Sequence, residues 1–321
     1  MKSGFDDNYS ELAHSVAYRD LTTTRARILV TGSDAFSWLH ALVSNDLRPL
    51  KLHPKASILA FCLDPTAHVL ADLRICLLND EDVMGFNGIL VDTDVENLGT
   101  VMQYLDRYLI TEDVQLNDVT LQTGCIAIQG PCSQMYSLVG NWWDLDLTGF
   151  GGGILLFGSV QRKEDWLREN NRLVEVSDIT WQTARVECGL PQWTEDFGPQ
   201  TLAAEIDPRR EHYSVSKGCY PGQEILARID SRGHTNRQLH LVAAAPGSNL
   251  HQGMNVLAQG EQTTLLGTLG SCSAKSPECG NASIALCVLR SNPIATGSRL
   301  VTSSGVDLEV IDIPRQRILF K

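Results

Sequence analysis

Residues 217–224 read Lys-Gly-Cys-Tyr-Pro-Gly-Gln-Glu. A cysteine two residues from a lysine and just ahead of a helix start has two neighbours that favour its thiolate. One is the ammonium and the other is the positive end of the helix dipole. Pro221 suits the first helical position, Tyr220 the cap, and Gln223 the third position, where its amide can reach back to the cap backbone. Gly218 and Gly222 let a ligand approach the main chain closely. Cys219 is therefore the candidate nucleophile, and Lys217 the group that holds it ionised. The same octapeptide also reads as a tight loop-to-helix entry, and the residues alone leave both readings open. Most of the other cysteines sit in apolar runs such as AFCLD, RICLL and ALCVL, and read as reduced, buried thiols. Nine cysteines with no C-x-x-C give neither a disulfide framework nor a metal- or cluster-ligating set, so no stable metal is expected.

The segment around the octapeptide, 209–237, carries Arg209, Arg210, Lys217, Arg228, Arg232 and Arg237 against Glu211, Glu224 and Asp230. It is a basic island in a chain with 26 Lys and Arg, 38 Asp and Glu, and a formal charge of −12. An anion-binding face and a solvated charged surface both fit it. The acidic total argues against a general nucleic-acid binder, which needs a net basic surface for phosphate contacts. The glycine-rich stretch GFGGG at 149–153 precedes the strand-like ILLF rather than a helix, so it reads as a turn and not as a phosphate cradle. The P-loop, H-E-x-x-H and G-x-S-x-G patterns are absent.

The elements that must position these residues follow from periodicity. Phe36, Leu39 and Val43 predict a helix over 34–46, capped by Ser33 or Asp34. Ser57–Leu63 and Val69–Leu78 predict two strands joined by the turn residues DPTAH. Leu98, Val101, Met102, Leu105 and Leu109 form one stripe of an amphipathic helix over 94–109. The run CIAIQGP reads as a strand ending in a turn. Helices are expected at 161–170, 178–188 and 221–229. Residues 190–216 are long for a structureless connection and read as a functional loop or as hidden short elements. From His240 short apolar runs alternate with Gly, Ser, Asn and Pro turns, the pattern of a small closed barrel. The fold class is α+β. A length of 321 residues gives a prior of about two domains. No leader or membrane-spanning run is visible, so the expectation is a soluble cytoplasmic protein.

The octapeptide at Lys217–Glu224 resembles the signature of the YgfZ-type folate-binding proteins, relatives of the glycine-cleavage T-protein (aminomethyltransferase). Arg232-Gly233-His234, with Arg237 and Leu239, is similar to the family's continuation. Arg185-Val186-Glu187-Cys188-Gly189-Leu190-Pro191 resembles its R-x-E-x-G-x-P helix end, and Leu202–Glu205 the segment that leads into the signature. Ile128-Gln129-Gly130-Pro131 and the N-terminal FSWLHALVSNDL, with Asn45-Asp46, match further family segments in the right order. The octapeptide is a specific match. The T-protein lacks it, and its G-G-x-x-D-D is represented here by Ala67-His68-Val69-Leu70-Ala71-Asp72, where only Asp72 remains. Both departures favour the YgfZ branch.

The resemblance implies a three-domain ring around a central channel. Its parts would be a discontinuous N-terminal domain at about 1–50 and 120–239, a ferredoxin-like insertion at about 51–119, and a C-terminal β-barrel at 240–321. It implies that residues 1–239 bind tetrahydrofolate or a one-carbon derivative. It also implies a role in assembly or repair of iron–sulfur clusters in a subset of enzymes, including tRNA-modifying ones. Glu187 becomes the acceptor for pterin N–H donors. On a helix it lies roughly 80° from the stripe of Ile179, Thr183, Val186 and Leu190, at the border of a buried face. Arg228, Arg232 and Arg237 become partners for glutamate-tail carboxylates, and Trp181, Trp193, Tyr220 and Gln223 the walls of the site. Cys219 would contact folate, a one-carbon group or cluster iron. Partners would be iron–sulfur enzymes or their assembly machinery, with the chain itself monomeric. The alternatives are a folate-dependent aminomethyl- or methyltransferase, and a tRNA- or protein-binding module that uses residues 209–237.

Overall fold

The computed structural model describes residues 8–78, 88–136, 141–207, 209–233, 235–259, 264–290 and 294–315. His234 of the signature's continuation lies outside them. Three sheets make up the fold.

The first to be completed along the chain contains β2 (Arg25–Thr31), β3 (Ser57–Leu63), β4 (Val69–Leu78), β5 (Gly88–Asp94) and β6 (Gln115–Asp118). Its order is β3-β4-β5-β2-β6, with every pair antiparallel. Two helices, α2 (Ala35–Leu42) and α4 (Leu98–Arg107), cover one face. Trp38, Leu39 and Leu42 of the first and Val101 and Leu105 of the second bury against Ile28, Val30, Ala71, Leu73 and Ile75. With β2-α2-β4-β5-α4-β6, the arrangement is the ferredoxin-like split β-α-β with one added edge strand. The insertion therefore starts at residue 25 rather than near 51. Strand β2 and helix α2 belong to this sheet because β2 pairs with β5 on one side and β6 on the other.

The second sheet joins β1 (Ala17–Asp20), β7 (Thr123–Gln129), β8 (Asn141–Asp144) and β9 (Gly153–Ser159) in the order β1-β7-β9-β8. The glycine-rich 149–153 is indeed the turn that enters β9. Helices α1 (Asn8–His14), α3 (Pro49–Leu52) and α5 (Val160–Glu169) lie earlier and later in the chain. Ser159 caps α5 by accepting the Arg162 N–H, and Trp166 buries on Ile126, Ile128, Ile154 and Leu156. The other face of this sheet receives Cys188 and Leu190. The two sheets also meet directly: Leu29, Cys76, Leu78 and Leu90 pack on Trp143 and Phe157. Fully buried Arg27 bridges them, its guanidinium donating to the Thr123 hydroxyl and to the carbonyls of Thr22, Arg25, Thr120 and Thr123.

The third sheet is a closed barrel of β10 (Arg237–Ala244), β11 (Asn255–Ala258), β12 (Leu265–Ser276), β13 (Ala282–Arg290), β14 (Arg299–Thr302) and β15 (Asp307–Ile311). Closure removes the unpaired edges of the sheet. Between barrel and second sheet runs α6 (Asp178–Glu187), capped by Ser177. Its Val186 packs on Leu239, Leu241, Ile284 and Leu286, while its Ala184 packs on Leu12 and Ala17. The stretch after it holds one short helix, α7 (Ala203–Ile206), and then α8 (Gln223–Arg232). Among the described residues no helix is long and apolar enough to cross a membrane.

A buried polar knot closes the assembly. The Glu187 carboxylate, 0% exposed, accepts from Arg315 at 2.6 Å, from the Tyr9 hydroxyl at 2.5 Å and from the Ser276 hydroxyl at 2.5 Å. Arg315 also donates to the carbonyls of Thr148 and Ala184, and its guanidinium lies 3.6 Å from the Phe150 ring centroid. Burial and the neighbouring carboxylate push the Tyr9 hydroxyl far up from the ordinary tyrosine range, so it stays a donor. Removing one partner leaves a buried charge uncompensated. Glu187→Gln is expected to cost about 3–5 kcal/mol in urea unfolding, and adding Arg315→Met is expected to cost less than the sum of the two single changes.

Candidate functional site

The face of the five-stranded sheet that carries no helix is apolar at one end and charged at the other. Alternation along each strand puts Arg25 of β2, Asp72 and Arg74 of β4, and Asp92 and Asp94 of β5 on that face. Register sets Arg25 opposite Asp94 and Arg74 opposite Asp92. The apolar end packs on the second sheet, and the charged end opens into a cavity of about 250 Å3 at the centre of the molecule.

Leu21, Leu59, Phe61, Trp181 and Phe197 form its apolar walls, and Arg25, Asp72, Arg74, Asp94, Arg185, Glu195 and His212 its polar edge. Arg25 binds Asp92 at 2.8 Å and reaches Asp94 at 3.2 Å and Asp72 at 3.4 Å. Burial disfavours its charge, but the three carboxylates outweigh that and hold its pKa above the usual arginine value. Burial likewise works against the Asp72 carboxylate, yet Arg25 and Arg74 hold it below the ordinary aspartate range. Burial, reinforced by Asp72, pushes Asp94 up to about 6. Asp72 Oδ1 and Arg74 Nη1 have no hydrogen-bond partner among the described residues. Arg74 Nη1 lies 3.6 Å from Asp92 Oδ1 as an ion pair, which leaves Asp72 Oδ1 as the unpaired buried acceptor on the cavity wall.

The far wall is pinned to the barrel. Arg185 bonds to Asp196 at 3.1 Å, to Glu195 at 3.3 Å and to the Ser271 hydroxyl at 2.6 Å. The same hydroxyl lies 2.7 Å from Glu195 and 2.6 Å from Asp196. His212 stacks on Phe61, with ring centroids 4.6 Å apart. Asp207, Glu211 and His212 bring side-chain ligand atoms within 4.8 Å of one another. The Asp207 carboxylate, however, accepts the backbone N–H groups of both Glu211 and His212, and the cluster acts as the turn that aims the imidazole.

Of the residues singled out in the sequence, Asp72 and Trp181 line this cavity. Glu187 does not: its carboxylate is saturated in the knot with Arg315, Tyr9 and Ser276, which corrects its assignment as the pterin acceptor. Trp193 packs edge-on against Phe197 and is not a lining residue.

The octapeptide lies elsewhere. Helix α8 starts at Gln223 with Gly222 as its cap, so Tyr220 is not the cap and Cys219 stands a full turn before the helix. Gly222 is required there. Its φ is +83°, and a Cβ would come within 2.9 Å of the Ala67 Cα and the Asp64 carbonyl in the β3–β4 turn. Tyr220 is buried with Phe61, Leu63, Val69 and Leu226 and donates to the Ser214 carbonyl, while Gln223 donates to that of Val215. Lys217 donates to the His40 carbonyl and lies 4.9 Å from the Tyr220 ring centroid, so its ammonium serves the loop and not the thiol. Burial lowers its pKa to about 8. Cys219 is the one exposed residue among the nine cysteines.

The arginines predicted for a glutamate tail have intramolecular partners. Arg228 pairs with Glu224 and Arg237 with Glu205, and neither lines the cavity. Arg232 is the last residue of α8 and is also absent from the cavity wall. Sequence reading missed Arg25, Arg74, Asp94 and His212. The first three carried a signal: charged residues two apart inside apolar runs, at 25/27, 72/74 and 92/94.

Gly270 tests how the wall is held. A Cβ there would meet Asp196 Oδ1 at 2.3 Å and the Glu195 carbonyl at 2.9 Å. Gly270→Ala is expected to release residues 190–197 from the barrel, seen as faster proteolysis in that loop with the barrel's circular dichroism unchanged.

Residues 1–147 match the GCVT N-terminal domain. The chain is similar to the iron-sulfur cluster assembly factor IBA57 homolog, mitochondrial, of Mycosarcoma maydis, at 22% identity over 240 residues, 71% of this chain and 58% of that protein. It is similar to the tRNA-modifying protein YgfZ of Blochmanniella pennsylvanica, at 23% identity over 257 residues and 73% of each. The match thus spans less than two thirds of the length of the first of these relatives. The crystal structure of glycine cleavage system aminomethyltransferase T from Bartonella henselae superposes with a TM-score of 0.80 at 16% identity, over 98% of this chain and 90% of that one. Residues 1–147 thus match a GCVT N-terminal domain, the chain has the fold of the glycine cleavage aminomethyltransferase T over nearly its whole length, and it is similar to proteins of the YgfZ and IBA57 type.

Proposed function

We propose that this chain is a tetrahydrofolate-binding accessory factor for assembly or repair of iron–sulfur clusters in a subset of enzymes, acting in the cytoplasm. The observation that carries the folate part is the central cavity, with Trp181 on its wall beside the unpaired acceptor of Asp72. The edge of a pterin offers adjacent donors and acceptors, and its flat face suits Trp181. A volume of about 250 Å3 accommodates a bicyclic ring, with the rest of the ligand leaving through the mouth. When bound, the folate would supply one-carbon chemistry. The chain's residues would bind the ring, orient it against Trp181, and hold charge at its polar edge. The iron–sulfur part rests on the likeness to an IBA57 homolog and a YgfZ protein. Cys219, exposed and outside the cavity, would act on a partner's side of the protein and not on the ring.

Aminomethyl transfer is the second reading, favoured by Asp72 on the cavity wall of the shared fold. The nucleic-acid module is disfavoured, because Arg210, Arg228 and Arg237 of the basic segment are each paired with a carboxylate of the chain.

Calorimetry with tetrahydrofolate is expected to give saturable binding. Trp181→Ala should weaken it by roughly tenfold and Arg228→Ala should leave it unchanged. No binding by folded wild-type protein would remove the folate reading, and turnover with an aminomethyl donor would establish the second reading in its place.

A further inference from the structure

An open sheet has two edge strands, whose outward N–H and C=O groups can pair with another chain unless something covers them. Most of the edges here are covered by the chain itself. At one edge of the second sheet, Tyr18 of β1 bonds to the Val174 carbonyl and the Val176 N–H. At the other, the Asp144 N–H of β8 donates to the Lys55 carbonyl. In the five-stranded sheet, edge strand β3 is closed by Ser44, which exchanges bonds with the Phe61 backbone, and by the Asn45 amide, which donates to the Leu59 carbonyl.

Strand β6, the remaining edge, is different. Asp118 lies opposite Ile28, and the Val119 N–H that follows donates to the Arg27 carbonyl. Alternation then points the backbone groups of Gln115 and Asn117 toward β2 and those of Leu116 and Asp118 away from the sheet. Among the described residues nothing bonds to these outward N–H and C=O groups.

A groove of about 680 Å3 lies beside this edge. Met102 and Leu109 line it from α4 and the turn after it, and Val114 and Leu116 line it from the strand side. Ile110, 83% exposed, follows Leu109, and Leu121, 92% exposed, stands three residues past β6. Large apolar side chains so exposed beside an apolar groove mark a contact surface. The charge around it has one sign. Residues 102–118 hold Asp106, Glu112, Asp113 and Asp118 against Arg107 alone. The last three carboxylates accept N–H groups of nearby loops. Asp106 lines the groove, is exposed, and pairs with no cation among the described residues. A second copy of this edge would set the same carboxylates against each other, so the charge favours a basic occupant.

We propose that the β6 edge is a docking site for an extended segment of a partner protein, one that carries Lys or Arg among alternating apolar side chains. The segment adds as a strand beside β6, and its backbone bonds to the outward groups of Leu116 and Asp118. Every second side chain enters the groove against Met102, Leu109 and Leu116, and a basic one meets Asp106. Because β6 has only four residues, backbone pairing alone holds a partner weakly, and the groove decides which segment binds. None of the groove residues lines the central cavity, so this surface goes beyond the folate reading and does not depend on it.

Selection of a displayed library of random linear peptides on the full-length protein tests the proposal. Selected peptides are expected to alternate Val, Ile or Leu with Lys or Arg. As synthetic peptides they should slow hydrogen exchange at the Leu116 and Asp118 amides by about tenfold or more. Leu116→Pro removes an outward N–H and leaves the bonds to β2 in place, so it should weaken binding roughly tenfold. Asp106→Lys changes only an exposed side chain of α4, keeps the test decisive if the proline variant misfolds, and should weaken binding to a similar extent. Enrichment of no peptide would overturn the proposal. So would selected peptides that leave both amides unprotected or bind Asp106→Lys as well as wild type. A dimer in sedimentation with the Leu116 amide already protected would assign the edge to a second copy and overturn it equally.

Discussion

Helix α6 packs on the barrel, the second sheet and the N-terminal helix, and it ends at Glu187, which pairs with Arg315. That one carboxylate gathers the N-terminal helix through Tyr9, the barrel through Ser276 and the segment after the barrel through Arg315. A desolvated charge tolerates no loose partner, so the three segments are held in one arrangement. The preceding turn of the same helix carries Arg185, which ties the cavity wall to barrel strand β12. Buried charge at one end of α6 therefore sets the shape of the central space lined by its other residues, Trp181 and Gln182.

The five-stranded sheet shows how a single β pattern serves both stability and chemistry. Its odd positions along β4, Ala71, Leu73 and Ile75, bury under two helices. Its even positions change along the strand from charged Asp72 and Arg74 to Cys76 and Leu78. The apolar pair closes on the second sheet and the charged pair stops short of it. A cavity forms where the facing surfaces can no longer interlock, and it inherits charge from the residues that kept them apart.

Much of the fold was legible in the sequence, because β3, β4 and the stripe of α4 obey simple periods. Strand β2 was not. RARILVT places arginines at alternate positions, which resembles a solvent face, whereas Arg27 is fully buried and satisfied by carbonyls far along the chain. The helical position of Glu187 was readable, but the stripe was not: Ile179 is exposed, and Glu187 is fully buried rather than at a border. Nor was its partner, since Arg315 is 128 residues away. The same limit applies to the octapeptide. Local rules placed the helix start at Pro221. Contact with the β3–β4 turn, some 155 residues earlier, forces Gly222 into the left-handed region and delays the helix to Gln223. The cavity carboxyls stayed hidden because their meaning lies in cross-strand register, which no single strand reveals.

The knot also bears on the order of events in folding. Its four members, Tyr9, Glu187, Ser276 and Arg315, span nearly the whole described chain, so the last of them leaves the ribosome long after the first. Until Arg315 arrives, α6 carries a carboxylate that its neighbours would bury without a countercharge, and docking of the N-terminal helix onto it is held back. Contacts of such long sequence separation close late and slowly. The knot therefore closes only once residue 315 has been made.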